Sequence, residues 1–184
     1  NNIVLLNGIQ AGTGFWNRIG SRIEMKSIKI RGQIEHIGLA TSPGSLRMVI
    51  VYDRQPSGAI PTGDVIFSST DQTGTASISG NSEINLNNRD RFLIVREFVW
   101  YAPGTVDTTG NANLDMGNSI TNSCMNEYVK LKGLATHYNS TANPVTIANI
   151  ATGALYAAFV GSSFTSPGDV WQLHAGMRIR FEDK

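Results

Sequence analysis

Gly12-Thr13-Gly14-Phe15-Trp16-Asn17-Arg18-Ile19-Gly20 leads directly into Ser21-Arg22-Ile23-Glu24-Met25-Lys26-Ser27-Ile28-Lys29-Ile30-Arg31-Gly32-Gln33-Ile34-Glu35-His36. A glycine-punctuated aromatic turn thus runs into a long strand with two unlike faces. Ile23 and Met25 share one face. Ile28, Ile30 and Ile34 continue that face only if the register slips by one residue near Lys26–Ser27, as a β-bulge allows. The opposite face then carries Arg22, Glu24, Lys26, Lys29, Arg31, Gln33 and Glu35, with positive charge in excess.

Two more segments have the same design. In Val170–Phe181 the odd positions Trp171, Leu173, Met177, Ile179 and Phe181 are apolar, which turns Arg178 and Arg180 to the other side. In Tyr128-Val129-Lys130-Leu131-Lys132, Val129 and Leu131 share one face and both lysines lie opposite. The candidate nucleic-acid-binding residues are therefore Lys26, Lys29, Arg31, Lys130, Lys132, Arg178 and Arg180. If the fold gathers these strands, their cations form one basic surface suited to phosphates. The competing reading is a solvated strand face whose cations pair with Glu24, Glu35, Glu127 or Glu182 at subunit contacts.

A length of 184 residues suits one domain, spanning 1–184. Charged residues make up 16 %, below the roughly 25 % of an average soluble protein, and turn-forming Asn, Ser, Thr and Gly take their place. The net charge of +1 argues neither for nor against a polyanionic partner, so any such case rests on local placement. One cysteine, Cys124, excludes an intrachain disulfide and weakly favours a reducing compartment. No apolar run approaches the roughly 18 residues of a membrane span, and Ile3–Leu6 is too short for a signal peptide core.

Period-two alternation dominates, and there is no helical stripe. The expected strands are Ile3–Leu6, Arg22–His36, Ser45–Asp53, Asp64–Phe67, Arg91–Tyr101, Glu127–Thr136, Val145–Ile150, Gly153–Val160 and Val170–Phe181. Turn-rich stretches such as 55–63 and 102–105 separate them, and 68–88 is small and polar throughout. This pattern predicts an all-β, two-sheet sandwich, most simply a jelly roll, with an immunoglobulin-like sandwich as the weaker fit. Ile23, Met25, Ile28, Ile30, Met177, Ile179 and Phe181 are expected in one core. The loops at 54–63, 68–88 and 102–123 are expected to form intersubunit and outer surfaces.

The sequence holds little that reads as catalysis. His36, His137 and His174 lie in different strands, without the paired spacing of a metal site, so neither metal nor cofactor is expected. Cys124 has no local histidine partner, and no nucleophile elbow occurs. Gly12-Thr13-Gly14 lacks the lysine-serine and the helix of a phosphate loop. Asn139-Ser140-Thr141 fits a glycosylation sequon without a secretory signal.

Several blocks, in order, resemble the capsid (coat) proteins of small circular single-stranded DNA viruses that encode a rolling-circle replication protein, a circovirus-like group. They are Gln10–Gly20 with the basic strand Met25–Gly32, then Leu46-Arg47-Met48-Val49-Ile50-Val51-Tyr52-Asp53-Arg54-Gln55-Pro56-Ser57-Gly58, then Asn85–Phe92 with Arg96 and Phe98, and finally Val129–Gly133. The resemblance implies an eight-stranded jelly roll of viral capsid type that self-assembles into an icosahedral T=1 shell of about 60 subunits. The shell would enclose a circular single-stranded DNA genome and meet a host receptor not identified by sequence, without membrane insertion. It places the protein in the virion, with assembly in the host nucleus. It also pairs the first and last strands in one sheet, which would set Lys26, Lys29 and Arg31 beside Arg178 and Arg180. A shell of about 60 copies around roughly a thousand nucleotides must offset about 17 charges per subunit. A domain of net charge +1 does not supply them, so a basic N-terminal arm is expected upstream.

The leading function is thus a non-enzymatic capsid protein. The alternative is a cellular jelly-roll binding module, lectin-like or a trimeric ligand, and a cupin-like enzyme is disfavoured by the histidine spacing. Electron microscopy separates them, because only a capsid protein forms closed particles of about 20 nm, given domains about 2.5 nm across.

Overall fold

The computed structural model describes residues 2–37, 44–68, 78–102, 121–161 and 170–184. They form an all-β structure of two antiparallel four-stranded sheets. In one, β1 (Asn2–Leu5), β7 (Ala154–Gly161), β3 (Gly44–Asp53) and β4 (Phe92–Ala102) lie in the order β1-β7-β3-β4. In the other, β6 (Ile150–Thr152), β5 (Thr121–Tyr138), β2 (Arg22–Ile37) and β8 (Val170–Asp183) lie in the order β6-β5-β2-β8.

The sheets share a core that β2 organises. Ile23, Met25, Ile28, Ile30 and Ile34 are all buried and pack with Met48 and Ile50 of β3, Val129 and Leu131 of β5, and Leu155 of β7. The expected bulge is present. Against β8, Met25 pairs with Phe181 and Ser27 with Arg180, so Lys26 is the extra residue on β2. Against β5, Met25 pairs with Leu134 and Ser27 with Lys130, which loops out Leu131–Gly133. The chain accommodates that loop with Lys132 at φ 50° and Gly133 at φ 78°. These two phase changes let isoleucines on both sides of the bulge face one core.

The β1-β7-β3-β4 sheet is covered on its second face as well. Val49, Val51, Ala158 and Val160 pack beneath Ile66, Phe67 and Phe92. This burial on both faces explains the near-continuous apolar run Leu46–Tyr52. The cover comes from a short helix, α1 (Gly63–Ile66), where the sequence pattern favours a strand over Asp64–Phe67. In a run of four residues, alternation does not separate the two states. Likewise 145–150 is mostly a 3-10 turn at Ile147–Asn149, and only Ile150–Thr152 pairs with β5.

Met177 is a correction to the expected core. It stands opposite Ile30 but is 47 % exposed, because β8 is the outer strand of its sheet. Ile179 and Phe181 on the same strand are half-buried against the core. Of the loops expected at 68–88 and 102–123, residues 69–77 and 103–120 fall outside the described residues, and Thr121–Ser123 belong to β5 instead of a loop.

Two polar networks fasten the sandwich. The buried Asn7 side chain donates to Thr136 Oγ1 (2.8 Å) and the Gly153 carbonyl (2.9 Å), and accepts from the Leu155 N–H (2.9 Å). The Asn7 carbonyl accepts from Tyr138 Oη at 2.7 Å. Asp53, fully buried, accepts both guanidinium bonds of Arg91 at 2.9 and 2.8 Å, which joins the end of β3 to the start of β4. That carboxylate holds the Arg91 pKa above its ordinary value.

Gly153 lies where these elements converge, at φ 76°. A Cβ there would collide with the Ala135 carbonyl oxygen and lie 2.6 Å from Tyr52 Oη. Gly58, at φ 80°, has open space around it. We predict that Gly58→Ala costs about 1–2 kcal/mol, the left-handed backbone penalty alone. Gly153→Ala should cost clearly more, above about 3 kcal/mol once displacement of β5 is added. Urea unfolding of the two variants checks the difference; equal losses would show that β5 yields freely.

Candidate nucleic-acid interface

Because Ile28 and Ile30 point into the core, Lys29 and Arg31 point out, and the neighbouring strands obey the same alternation. The register sets three rows across the outer face: Lys130–Ser27–Arg180, Tyr128–Lys29–Arg178 and Asn126–Arg31–Gly176. Adjacent strands are about 4.8 Å apart and successive outward residues about 6.8 Å. Lys29, Arg31, Lys130, Arg178 and Arg180 therefore share one compact exposed patch. Lys132 is exposed at the β5 bulge, beside the first row rather than in it.

The patch is not neutralised from within. Among the described residues, Lys29, Arg31, Lys130, Lys132, Arg178 and Arg180 take part in no ion pair, and Arg31 donates only to Asn126 Oδ1 at 3.1 Å. Lys29 and Arg178 are direct cross-strand partners. Like charges in that relation destabilise a sheet by up to about 1 kcal/mol. The fold bears this cost without an internal counter-charge.

Lys26 stands apart from the other six. At the bulge it meets Glu182 at 3.0 Å and Glu24 at 3.5 Å, and Lys184 and Arg22 complete the cluster. The hydrogen bond with Glu182 raises the Lys26 pKa, and Lys26 in turn holds the Glu182 carboxyl below its ordinary value. Lys26 thus finds its counter-charges within its own chain, at the bulge. Glu35 lies at the far end of the same face, where it accepts from Gln33 at 2.8 Å.

The aromatic turn borders this patch. Phe15 and Trp16 are 90 % and 68 % exposed and meet edge to face at 5.1 Å. The Arg178 guanidinium lies 5.9 Å from the Trp16 ring centre. A groove between the turn and the sheet is lined by residues 13–17 and by Lys29, Tyr128, Arg178 and Arg180.

Arg18 holds the turn in place, a role that the sequence pattern does not reveal. It is 2 % exposed and donates to the carbonyls of Ile9 (3.2 Å), Gly20 (2.6 Å) and Ser140 (2.5 Å). Its guanidinium lies 4.0 Å from the Tyr138 ring centre, a cation–π contact. Burial pushes the Tyr138 hydroxyl pKa up to about 12. Backbone bonds Gly12 N–H to Arg18 O, Arg18 N–H to Gln10 O and Asn17 N–H to Gly14 O close the turn. Gly12 adopts φ 156°, a backbone conformation that residues with a side chain rarely take, so the turn favours glycine there.

A cluster of cations left uncompensated on one sheet face is a surface that attracts anionic partners. The model of the Geminivirus coat protein/nuclear export factor BR1 family matches residues 2–183, and the chain belongs to that family. No curated protein matches it. It is a viral capsid protein, with its place in the virion of a small single-stranded DNA virus, and the cellular binding-module alternative is not favoured.

The positive φ of Lys132 allows its charge to be removed without disturbing the fold. Asparagine accepts the left-handed region better than lysine, so Lys132→Asn should leave stability unchanged or raise it by up to about 1 kcal/mol. Lys132→Val should lose about 1–2 kcal/mol, since a β-branched residue is strained there. Chemical denaturation curves for the pair test this; equal stability would mean the bulge relaxes away from the left-handed region.

Proposed function

We propose that the chain is the single jelly-roll shell domain of an icosahedral capsid of about 60 subunits, and that its β5-β2-β8 face meets the packaged single-stranded DNA. The observation that carries the DNA-facing assignment is the set of unneutralised cations in adjacent rows, centred on Lys29 and Arg178. Phosphates supply the missing counter-charge, and they need no particular base, so binding is independent of sequence. The pairing of β2, the first strand of its sheet, with β8, the last of the chain, supports the jelly-roll reading, in which the opening and closing strands of the sandwich are neighbours. A circovirus-like standing within the wider group rests on the order of the four sequence blocks. Assembly in the nucleus and a host receptor belong to the same reading, as does a purely structural, non-enzymatic role.

Lys29, Arg31, Lys130, Lys132, Arg178 and Arg180 are the proposed phosphate contacts, with Lys26 at the margin in its carboxylate cluster. In the double variants Lys29→Ala/Arg178→Ala and Lys130→Ala/Arg180→Ala, shells should still form but enclose less nucleic acid. The slope of log K against log salt should flatten by about 0.7 for each phosphate contact removed. Shells that dissociate while DNA affinity holds would instead make these residues subunit contacts.

A further inference from the structure

We propose that Trp16 and Tyr128 are base-stacking residues at the two ends of the Tyr128–Lys29–Arg178 row, so that the face selects single-stranded over duplex DNA. The proposal rests on the reading that this face meets DNA, and it adds a contact to the bases that cations alone do not make. Across the row, Tyr128 pairs with Lys29 and Lys29 with Arg178, and Arg178 reaches the Trp16 ring at 5.9 Å. An aromatic group therefore stands at each end of two unneutralised cations.

Both rings are open to solvent. Trp16 is 68 % exposed, Phe15 beside it 90 % and Tyr128 57 %. Exposure of that extent removes the usual account of an aromatic side chain, burial in a core. The turn is also preorganised. The buried Arg18 and three backbone hydrogen bonds fix it, so little ordering entropy is lost when a ligand docks. Phe15 meets Trp16 at an interplanar angle of 89°, and both rings remain mostly exposed.

The neighbouring charge identifies the occupant. A second copy of this chain seated in the groove would bury Lys29, Arg178 and Arg180 at a desolvation cost, because the one carboxylate in the lining, Asp183, pairs with none of them and accepts the Ile19 N–H. A nucleic-acid strand brings phosphates for the cations and π-faces for the rings. In a duplex the base faces are already stacked on one another, so only single strands gain from Trp16 and Tyr128.

The test compares fluorescein-labelled (dT)10 with an abasic strand of the same length and phosphate count, and with a duplex decamer, all binding to the full chain. The wild-type protein should prefer (dT)10 over the abasic strand by about 5- to 100-fold, the range of one to two base stacks. Trp16→Ala should lose most of this preference with the salt slope unchanged. Tyr128→Ala should lose part, and Trp16→Phe should retain part. Lys130→Ala/Arg180→Ala should flatten the salt slope and keep the preference. Tryptophan quenching by (dT)10 should disappear in Trp16→Phe although Trp100 and Trp171 remain.

Equal affinity of the wild-type protein for (dT)10 and the abasic strand overturns the proposal. So does a wild-type preference in Trp16→Ala while the lysine–arginine variant flattens the slope, an outcome that leaves the DNA-facing assignment standing. If Trp16→Ala blocks particle formation and the preference is intact, the turn is a subunit contact and the proposal is wrong. If the lysine–arginine variant binds (dT)10 as the wild type does, the DNA-facing assignment itself falls, and this one with it.

Discussion

Everything on this molecule's basic face depends on the phase of one strand. β2 is hydrogen-bonded on both sides, to β5 and β8, so its alternation dictates which side of three strands is wet. Before the bulge the inward residues are Ile23 and Met25, and after it Ile28, Ile30 and Ile34. Without the extra residue at Lys26, either the isoleucines or the first two apolar residues would face solvent. Each buried aliphatic side chain contributes about 1.5–3 kcal/mol, whereas the cost of a like-charge cross-strand pair is at most about 1 kcal/mol. The core therefore fixes the register, and Lys29 meets Arg178 as a consequence. Charge repulsion is too weak to choose otherwise.

The N-terminal segment is positioned by polar groups instead of apolar area. Asn7 satisfies its amide against β5 and the approach to β7, and Arg18 satisfies its guanidinium on three carbonyls and the Tyr138 ring. Buried polar groups of this kind are costly when unpaired and directional when paired. They define one orientation for the turn that follows, where apolar packing alone would allow several. Tyr138 serves both networks, with its hydroxyl on the Asn7 carbonyl and its ring under Arg18. The aromatic turn is thereby tied to the same sandwich that displays the cations.

The bulge in β2 was legible because apolar residues change phase between Met25 and Ile28, and a strand with one buried face has no other way to accommodate that change. The outward direction of Lys29, Arg31, Arg178 and Arg180 followed from the same rule. Alternation says nothing of neighbours, so the gathering of these cations into rows needed the strand order, which only the likeness to capsid proteins suggested. Met177 was misjudged because alternation does not mark the outer strand of a sheet. Asp64–Phe67 was misjudged because four apolar-rich residues fit a helical turn and a strand equally well. Thr121–Asn126 reads as a polar loop, yet it pairs with Arg31–His36 and extends β5 well beyond the expected start at Glu127. The role of Arg18 was hidden because its partners are carbonyls, which leave no mark in a sequence.

The net charge of +1 conceals a segregation of charge. Asp53 is committed to Arg91, Glu97 to Arg47, and Glu24 and Glu182 to the Lys26–Lys184 cluster, while Asp183 accepts the Ile19 N–H at 3.2 Å. These acids anchor strand ends and the turn, and so the cations of the β5-β2-β8 face are left without them. At physiological salt a surface field decays over about 8 Å, so this patch acts on what touches it and exerts little pull at a distance. A weak global charge combined with a strong local one favours close, sequence-independent contact over long-range capture. The aromatic rings beside the patch suit that regime, because stacking also operates only at contact and is far less sensitive to salt.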